Sequence, residues 1–369
     1  MDLTEAREKI QVLDRQMARL FEDRMEAVRA VAEYKKKRGL PIEDKEQEMK
    51  KLAECGNLLE DKELQPYYAQ FLKSSMEISK RWQHKLISGV KVAYSGVEGA
   101  FAHIAAGRIF PDGERVAYPS FEDAYAAVEN GECDLAVLPI ENSFAGEVGQ
   151  VLDLMFSGPL HVNGVYDLSV TQDLIGIDGS AASDIKTVIS HPQALSQCAN
   201  YIRKHAFEAV SADNTAVAAK EVAERGDRSI AAIASEETAE LYGLKILDHD
   251  INEDKTNTTR FAVFSGEEET GRRSGGMAFL LLFTVKDEVG GLAKAINVIS
   301  AYGFNMRVLR SRPMKNLPWH YYFYAEVEGD DTSENGARML SALSAACPDM
   351  KIAGRYSASD NSLQGGESI

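Results

Sequence analysis

The spacing of apolar residues changes character twice along this chain, near residue 89 and again near residue 276, and each change marks a different kind of fold. Up to residue 88, Gly and Pro are rare while Glu, Lys, Arg, Met and Leu dominate, which predicts helices throughout. The first helix reads as about residues 4–38 with Thr4 as its N-cap. Ile10, Leu13, Met17, Leu20, Ala27 and Val31 form its apolar seam, the face expected to be buried. From 90 to 265, short β-rich runs (90–94, 135–138, 187–189) alternate with helical stretches, the α/β pattern. A polar, Gly-rich linker over 265–276 then leads into residues 277–356, which read strand, helix, strand, strand, helix, strand. That order predicts an α+β ferredoxin-like unit. The tail, 357–369, reads as disordered.

Charge excludes some partners. Lys plus Arg number 41 and Asp plus Glu 57, a formal charge of −16. Such a field repels nucleic-acid phosphates and anionic lipid heads, so neither nucleic acid nor membrane is expected as a partner. No apolar run approaches the roughly 20 residues that span a bilayer, and the N-terminus lacks the apolar segment of a signal peptide. Cys55, Cys133, Cys198 and Cys347 stand far apart, with no CxxC and no His at ligand spacing. They read as reduced thiols in a cytoplasmic, metal-free protein.

The helical zone carries polar groups where an apolar face is expected. Arg24 fills the gap between Leu20 and Ala27, while Arg7 precedes Ile10 by three residues and Lys35 follows Val31 by four. Each cation alone reads as a side chain snorkelling to water; three along one seam point to an anion site. Asp44 and Glu48 are i and i+4 on the next helix, as are Ser79 and Gln83 on the last. A bundle that gathers these groups inside needs a polar, multiply anionic ligand to satisfy them.

Arg7, Arg24, Lys35, Asp44, Glu48, Ser79 and Gln83, with the 7–14 stretch, resemble the all-helical chorismate mutases over about residues 3–88. The resemblance implies an intertwined dimer in which Arg7 serves the partner's site and Arg24 grips a substrate carboxylate in its own. Lys35 and Gln83 would face the ether oxygen, where negative charge develops as the C–O bond breaks. Asp44, Glu48 and Ser79 would bind the ring hydroxyl or orient their neighbours. Where that family has Arg just before the second-helix Glu, this chain has Gln47, with Lys45 or Lys50 as candidate replacements.

In the central zone several strands end in small polar loops, the place where α/β folds hold ligands. They are Gly96 to Gly99, Glu141-Asn142-Ser143, Ser190-His191-Pro192-Gln193 with Gln197 a turn later, Asp213-Asn214-Thr215, and Asn257-Thr258-Thr259-Arg260-Phe261. Two glycines ahead of a helix can receive an anion, but no GxGxxG appears, which argues against a nicotinamide enzyme. These strings, with Pro139-Ile140-Glu141-Asn142 and Ala234-Ser235-Glu236, resemble prephenate dehydratase over 90–265. The resemblance implies two lobes like a periplasmic binding protein, 90–166 with 247–265 and 167–246, the active site between them. No cofactor is implied, because aromatisation drives the reaction. Thr259 would assist the leaving hydroxyl and Arg260 bind a carboxylate; Asn142, Ser190, Gln197 and Thr215 would be donors to substrate, with Glu141 orienting them. His191 reads as a helix cap before it reads as an acid.

The last zone resembles an ACT domain. Gly290-Gly291-Leu292-Ala293 matches its glycine loop, and Arg310-Ser311-Arg312-Pro313 stands where the family reads Glu-Ser-Arg-Pro. The resemblance implies feedback by phenylalanine bound between these stretches at a paired edge, with Arg310 reversing a charge there. Taken in order, residues 1–88, 90–265 and 277–356 read as mutase, dehydratase and sensor, acting on chorismate and prephenate as at least a homodimer. The alternative is a dehydratase whose helical zone is an inactive dimerisation arm.

Overall fold

Residues 3–38 hold neither Gly nor Pro and form one uninterrupted helix, α1 (Leu3–Arg38). The computed structural model describes residues 1–54, 58–269, 276–315, 317, 319–357 and 362–363. The cap of α1 is Asp2 rather than Thr4. Glu5 N donates to Asp2 Oδ1 at 2.8 Å and Asp2 N to Glu5 Oε2 at 3.0 Å, a reciprocal pair that satisfies two otherwise free N–H groups. Gly39, at φ +63°, ends the helix in the left-handed region. Then follow α2 (Lys45–Glu54) and α3 (Gln65–Ser88). Residues 1–91 form one unit and 92–369 another.

The seam expected to be buried on α1 is not covered within one chain: Ile10, Leu13, Met17, Leu20 and Val31 are each at least 44% exposed. A helix of 36 residues runs about 54 Å and α3, with 24, about 36 Å. The second half of α1 meets α3, through Arg24 to Ser79, Arg29 above Trp82 and Lys36 to the Leu86 carbonyl. Ala32 is its one buried residue.

The second unit opens with β1 (Lys91–Ser95), α4 (Phe101–Ile109), β2 (Glu114–Tyr118), α5 (Phe121–Glu129), β3 (Leu135–Asn142), the short β4 (Gly146–Glu147), α6 (Gly149–Ser157) and β5 (His161–Ser169). The chain then crosses to a second sheet: β6 (Asp173–Gly176), β7 (Thr187–Ser190), α7 (Pro192–Gln197), α8 (Ala199–His205), β8 (Glu208–Ser211), α9 (Thr215–Arg225), β9 (Ile230–Ala234), α10 (Glu236–Tyr242) and β10 (Lys245–Asp248). It returns to the first sheet as β11 (Thr258–Ser265), between β3 and β5. Two chain crossings between two sheets make two lobes.

In the second lobe the strand order is β10-β6-β9-β7-β8. Leu174, Val188, Ala231 and Ile233 pack on one face, and Ile175, Ile189, Ala232 and Ala234 on the other. A strand alternates its side chains, so apolar residues at every position are what a sheet covered on both faces requires.

The final segment comprises β12 (Met277–Thr284), α11 (Gly291–Ala301), β13 (Asn305–Pro313), β14 (Tyr321–Glu328), α12 (Glu334–Ala346) and β15 (Met350–Ser357). Its strand order, β13-β14-β12-β15, is that of a ferredoxin-like βαββαβ unit. Ala295, Ile299, Met339 and Leu343 pack the helices on Phe279, Leu281 and Phe283. This sheet is continuous with that of the first lobe, because Gly354 of β15 lies beside Val162 of β5. A Cβ at Gly354 would fall 2.0 Å from the Val162 carbonyl oxygen, so only Gly lets the strands meet. In the tail expected to be disordered, β16 (Ser362–Leu363) pairs with β5 through Ser362 and Asp167. Cys55, linker residues 270–275 and the rest of the tail beyond Ser357 lie outside the described residues. Cys133, Cys198 and Cys347 are buried, and none is in a disulfide among the described residues. No described helix is long and apolar enough to cross a membrane.

Candidate active sites

The helical unit holds a cavity of about 320 Å³. Six of the seven residues singled out in the sequence line it: Arg24, Lys35, Asp44, Glu48, Ser79 and Gln83. Arg7 does not; it lies in the half of α1 that α3 leaves uncovered. Arg24 donates to Ser79 Oγ, and the Ser79 hydroxyl in turn donates to the Ser75 carbonyl at 2.7 Å. Lys35 Nζ donates to the Ile42 carbonyl at 2.6 Å, which draws it toward the turn before α2. Asp44 caps α2 by accepting from Gln47 N at 3.0 Å.

Gln47 is in the wall, but neither Lys45 nor Lys50 is. Besides Lys35, the lysines that line this cavity are Lys51 and Lys80. Lys51 follows Gln47 by four residues and so shares its face of α2. Lys80 pairs with Glu77 at 2.7 Å and Glu48 at 3.4 Å, and its pKa is raised, chiefly by the hydrogen bond to Glu77. The carboxamide oxygen of Gln83 is buried and unpaired among the described residues. Four cations around two carboxylates leave net positive charge for an anionic ligand.

The second cavity, about 330 Å³, lies between the lobes of the dehydratase-like region. Asn142 organises its floor. Its Oδ1 accepts from Phe144 N at 3.0 Å and Ala145 N at 2.8 Å, which fixes the amide and makes Nδ2 the donor end. That Nδ2 donates to Thr259 Oγ1 and to Asn257 Oδ1, each at 2.9 Å. Thr259 Oγ1 therefore receives a hydrogen bond, and its own proton has no acceptor among the described residues. From the other lobe, Gln193 Nε2 reaches Asn142 Oδ1 at 3.5 Å. His191 Nδ1 accepts from Gln193 N at 3.2 Å, so the ring caps α7 as its sequence context suggested. Asn214 caps α9 through Val217 N, and Gln197 and Thr215 complete the wall.

Three residues expected at substrate are directed elsewhere. On β3 and β11, Asn142 faces Thr259 and Glu141 faces Arg260 in register. Side chains alternate along a strand, so the first pair meets the cleft and the second lies on the opposite face. There Arg260 binds Asp167 at 3.1 Å and Glu326 at 2.7 Å, and Glu141 receives Arg310 at 2.9 Å. Neither is free to hold or orient substrate in the cavity. Ser190 is fully buried, and its hydroxyl donates to the Ile233 carbonyl at 2.5 Å, tying β7 to β9.

Asn257, which opens one of the loop strings but drew no role from the sequence, and Gln172, which sequence reasoning missed, also line this cavity. Asn257 is 1% exposed and its Nδ2 has no partner among the described residues; Gln172 Oε1 is likewise unpaired. An unpaired buried polar group costs about 1–3 kcal/mol, a burden kept where a ligand relieves it. Asn257 stands two residues before Thr259, and that adjacency was the available signal.

Gly290, Gly291, Leu292 and Ala293 start α11, with Gly290 at φ +79°. Ser311, Arg312 and Pro313 end β13, the outermost strand of the sheet. Arg312 does not wait open for an effector: it lies 3.3 Å from Asp153 and 3.8 Å from Glu147. Burial raises the Asp153 pKa, but hydrogen bonds from Tyr322, Arg312 and Lys315 outweigh it and hold the carboxyl below its usual value. Nor does Arg310 face a ligand; it faces Glu141 and, at 3.8 Å, Glu147.

Residues 92–269 match the family model for prephenate dehydratase. An arogenate dehydratase/prephenate dehydratase of Arabidopsis thaliana is 34% identical over 278 residues, 73% of each chain. The chain belongs to the prephenate dehydratase family. Residues 6–84 match the model for chorismate mutase type II. The bifunctional chorismate mutase/prephenate dehydratase of Aquifex aeolicus is 28% identical over 366 residues, 96% of this chain and 98% of its own. The same two domains thus follow in the same order here. Among solved structures, the prephenate dehydratase of Arthrobacter aurescens in complex with L-Phe is 26% identical, with TM-score 0.68 over 76% of this chain and 93% of that one. GqqA, a quorum quenching acylase, is 32% identical with the same TM-score over 73% and 98%.

Proposed function

We propose that the chain rearranges chorismate to prephenate in its helical unit and converts prephenate to phenylpyruvate in the two-lobed region. The observation that carries the second activity is the bond from Asn142 to Thr259 on the cavity floor. As the ring carboxylate departs as CO₂, its C–C bonding pair enters the ring and the C–O bond to the hydroxyl breaks. The leaving oxygen takes a proton and departs as water. Thr259 is a weak acid, so its contribution is a positioned donor that stabilises charge as it forms, relaying a proton from solvent. Asn142, Gln197 and Thr215 surround the substrate.

In the helical unit Arg24 grips a carboxylate, Lys35 and Gln83 meet the ether oxygen, and Asp44, Glu48 and Ser79 hold the ring hydroxyl or neighbouring cations. The exposed apolar stripe of α1 supports a homodimer in which a second copy covers it and receives Arg7. The ferredoxin-like unit acts as an ACT sensor for phenylalanine. The L-Phe complex of the Arthrobacter relative and the free edge of β13 support that reading. A second reading, a silent mutase unit kept as a dimerisation arm, is favoured by Gln47 alone.

The test follows chorismate loss and phenylpyruvate formation separately on purified protein, with prephenate in parallel. Turnover of both supports the two-activity reading; turnover of prephenate alone leaves the helical unit a scaffold; turnover of neither overturns both.

A further inference from the structure

We propose that Asn257 is a second donor to the leaving hydroxyl of the dehydratase substrate, acting beside Thr259; the inference rests on the dehydratase reading above. Its amide orientation follows from its neighbours. Two backbone N–H groups, of Phe144 and Ala145, fix Asn142 Oδ1, so Asn142 presents its NH₂ end to Asn257. Asn257 must meet that group with Oδ1, as it does at 2.9 Å, and its own NH₂ points away from Asn142.

That NH₂ group is buried, has no acceptor among the described residues, and belongs to a side chain in the cavity wall. Asn257 Oδ1 and Thr259 Oγ1 both sit 2.9 Å from Asn142 Nδ2, so the two side chains flank one amide and serve the same end of a bound substrate. The backbone holds Asn257 in place as well, since Val170 N donates to its carbonyl at 2.8 Å. An oxygen that gains charge as its C–O bond breaks is the acceptor both donors reach. A neutral amide strengthens its hydrogen bond as that charge grows, so its effect falls on the transition state more than on binding.

The experiment measures prephenate turnover by the full chain, wild type and two variants, from pH 5 to 8 with the uncatalysed rate subtracted. Asn257→Ala is expected to lower kcat by about 10–100-fold with KM changed by less than about threefold. Asn257→Asp keeps an oxygen for Asn142 but has no donor when ionised. Its kcat is expected to be low at pH 8 and to recover toward pH 5 as the carboxyl protonates, a profile that a merely structural loss does not produce. Because it retains the bond to Asn142, this variant decides the matter if Asn257→Ala fails to fold. A wild-type kcat in either variant at pH 8 overturns the inference, as does a rise in KM alone, which would place Asn257 on a carboxylate. If wild type itself leaves prephenate unchanged, it is the dehydratase reading that falls.

Discussion

Arg310 on β13 donates to Glu141 on β3 at 2.9 Å, joining the ferredoxin-like unit to the residue just before Asn142. The pair is partly exposed, so it adds little stability. Its position matters more, because any shift of β13 pulls on the strand that holds Asn142. We expect Arg310→Ala to leave uninhibited prephenate turnover within about twofold and to weaken inhibition by L-phenylalanine at least about fivefold, a coupling near 1 kcal/mol. Inhibition curves for both proteins check this, and unchanged curves exclude Arg310 from the coupling.

Thr259→Val keeps the shape of the side chain and removes the hydroxyl. A loss of about 10²–10³ in kcat on prephenate is expected, with an unchanged melting temperature. Thr259→Ser restores the hydroxyl and should regain most of the rate. Retained activity in the valine variant would move the donor role to another group.

The two units allow the two activities to be separated. Lys35→Ala removes the cation held by the Ile42 carbonyl. Chorismate turnover should fall about 10²-fold while prephenate turnover stays unchanged. Lys51→Ala should instead raise KM for chorismate if Lys51 supplies the charge absent at Gln47. No change in KM would leave that role to Lys80.

Arg355 donates twice to Asp331, each time at 2.7 Å, and the Asp331 side chain is 1% exposed. Asp331→Ala leaves a partly exposed Arg355 that still has Glu268, and should destabilise the second unit by about 1–3 kcal/mol, read from urea unfolding. A loss below about 1 kcal/mol would show that Glu268 and water compensate Arg355.

Burial pushes the Cys198 thiol up to about 12. The folded protein therefore holds this proton at pH values where an unfolded thiol, near 9, releases it. Proton loss then favours the unfolded state, so this contribution to stability is whole below pH 9 and declines between pH 9 and 12. Unfolding midpoints from pH 8 to 11 should fall for wild type and fall less for Cys198→Ala. Parallel declines would assign the alkaline loss to other groups.

Much of the helical site was legible in the sequence. Arg24, Lys35, Asp44, Glu48, Ser79 and Gln83 lie at helical spacings, and a helix turns spacing directly into a shared face. Its cover was not legible: the stripe from Ile10 to Val31 reads as buried, yet α3 is too short to reach its first half. In the two-lobed region the loop strings located the cleft, and Asn142 and Thr259 were found there. Their neighbours Glu141 and Arg260 lie away from the cleft, because one step along a strand reverses the face.

Three kinds of fold, their order, and the loops that gather at the cleft could all be read from the residues, since periodicity and turn chemistry act within a few residues. Where Glu141, Arg260, Arg310 and Arg312 point, the role of Ser190 as a strand tie, and the donor of Asn257 left unpaired among the described residues emerge in the folded chain alone. Those outcomes depend on which strands become neighbours, and a charged side chain seeks its partner across the fold wherever burial leaves it without water.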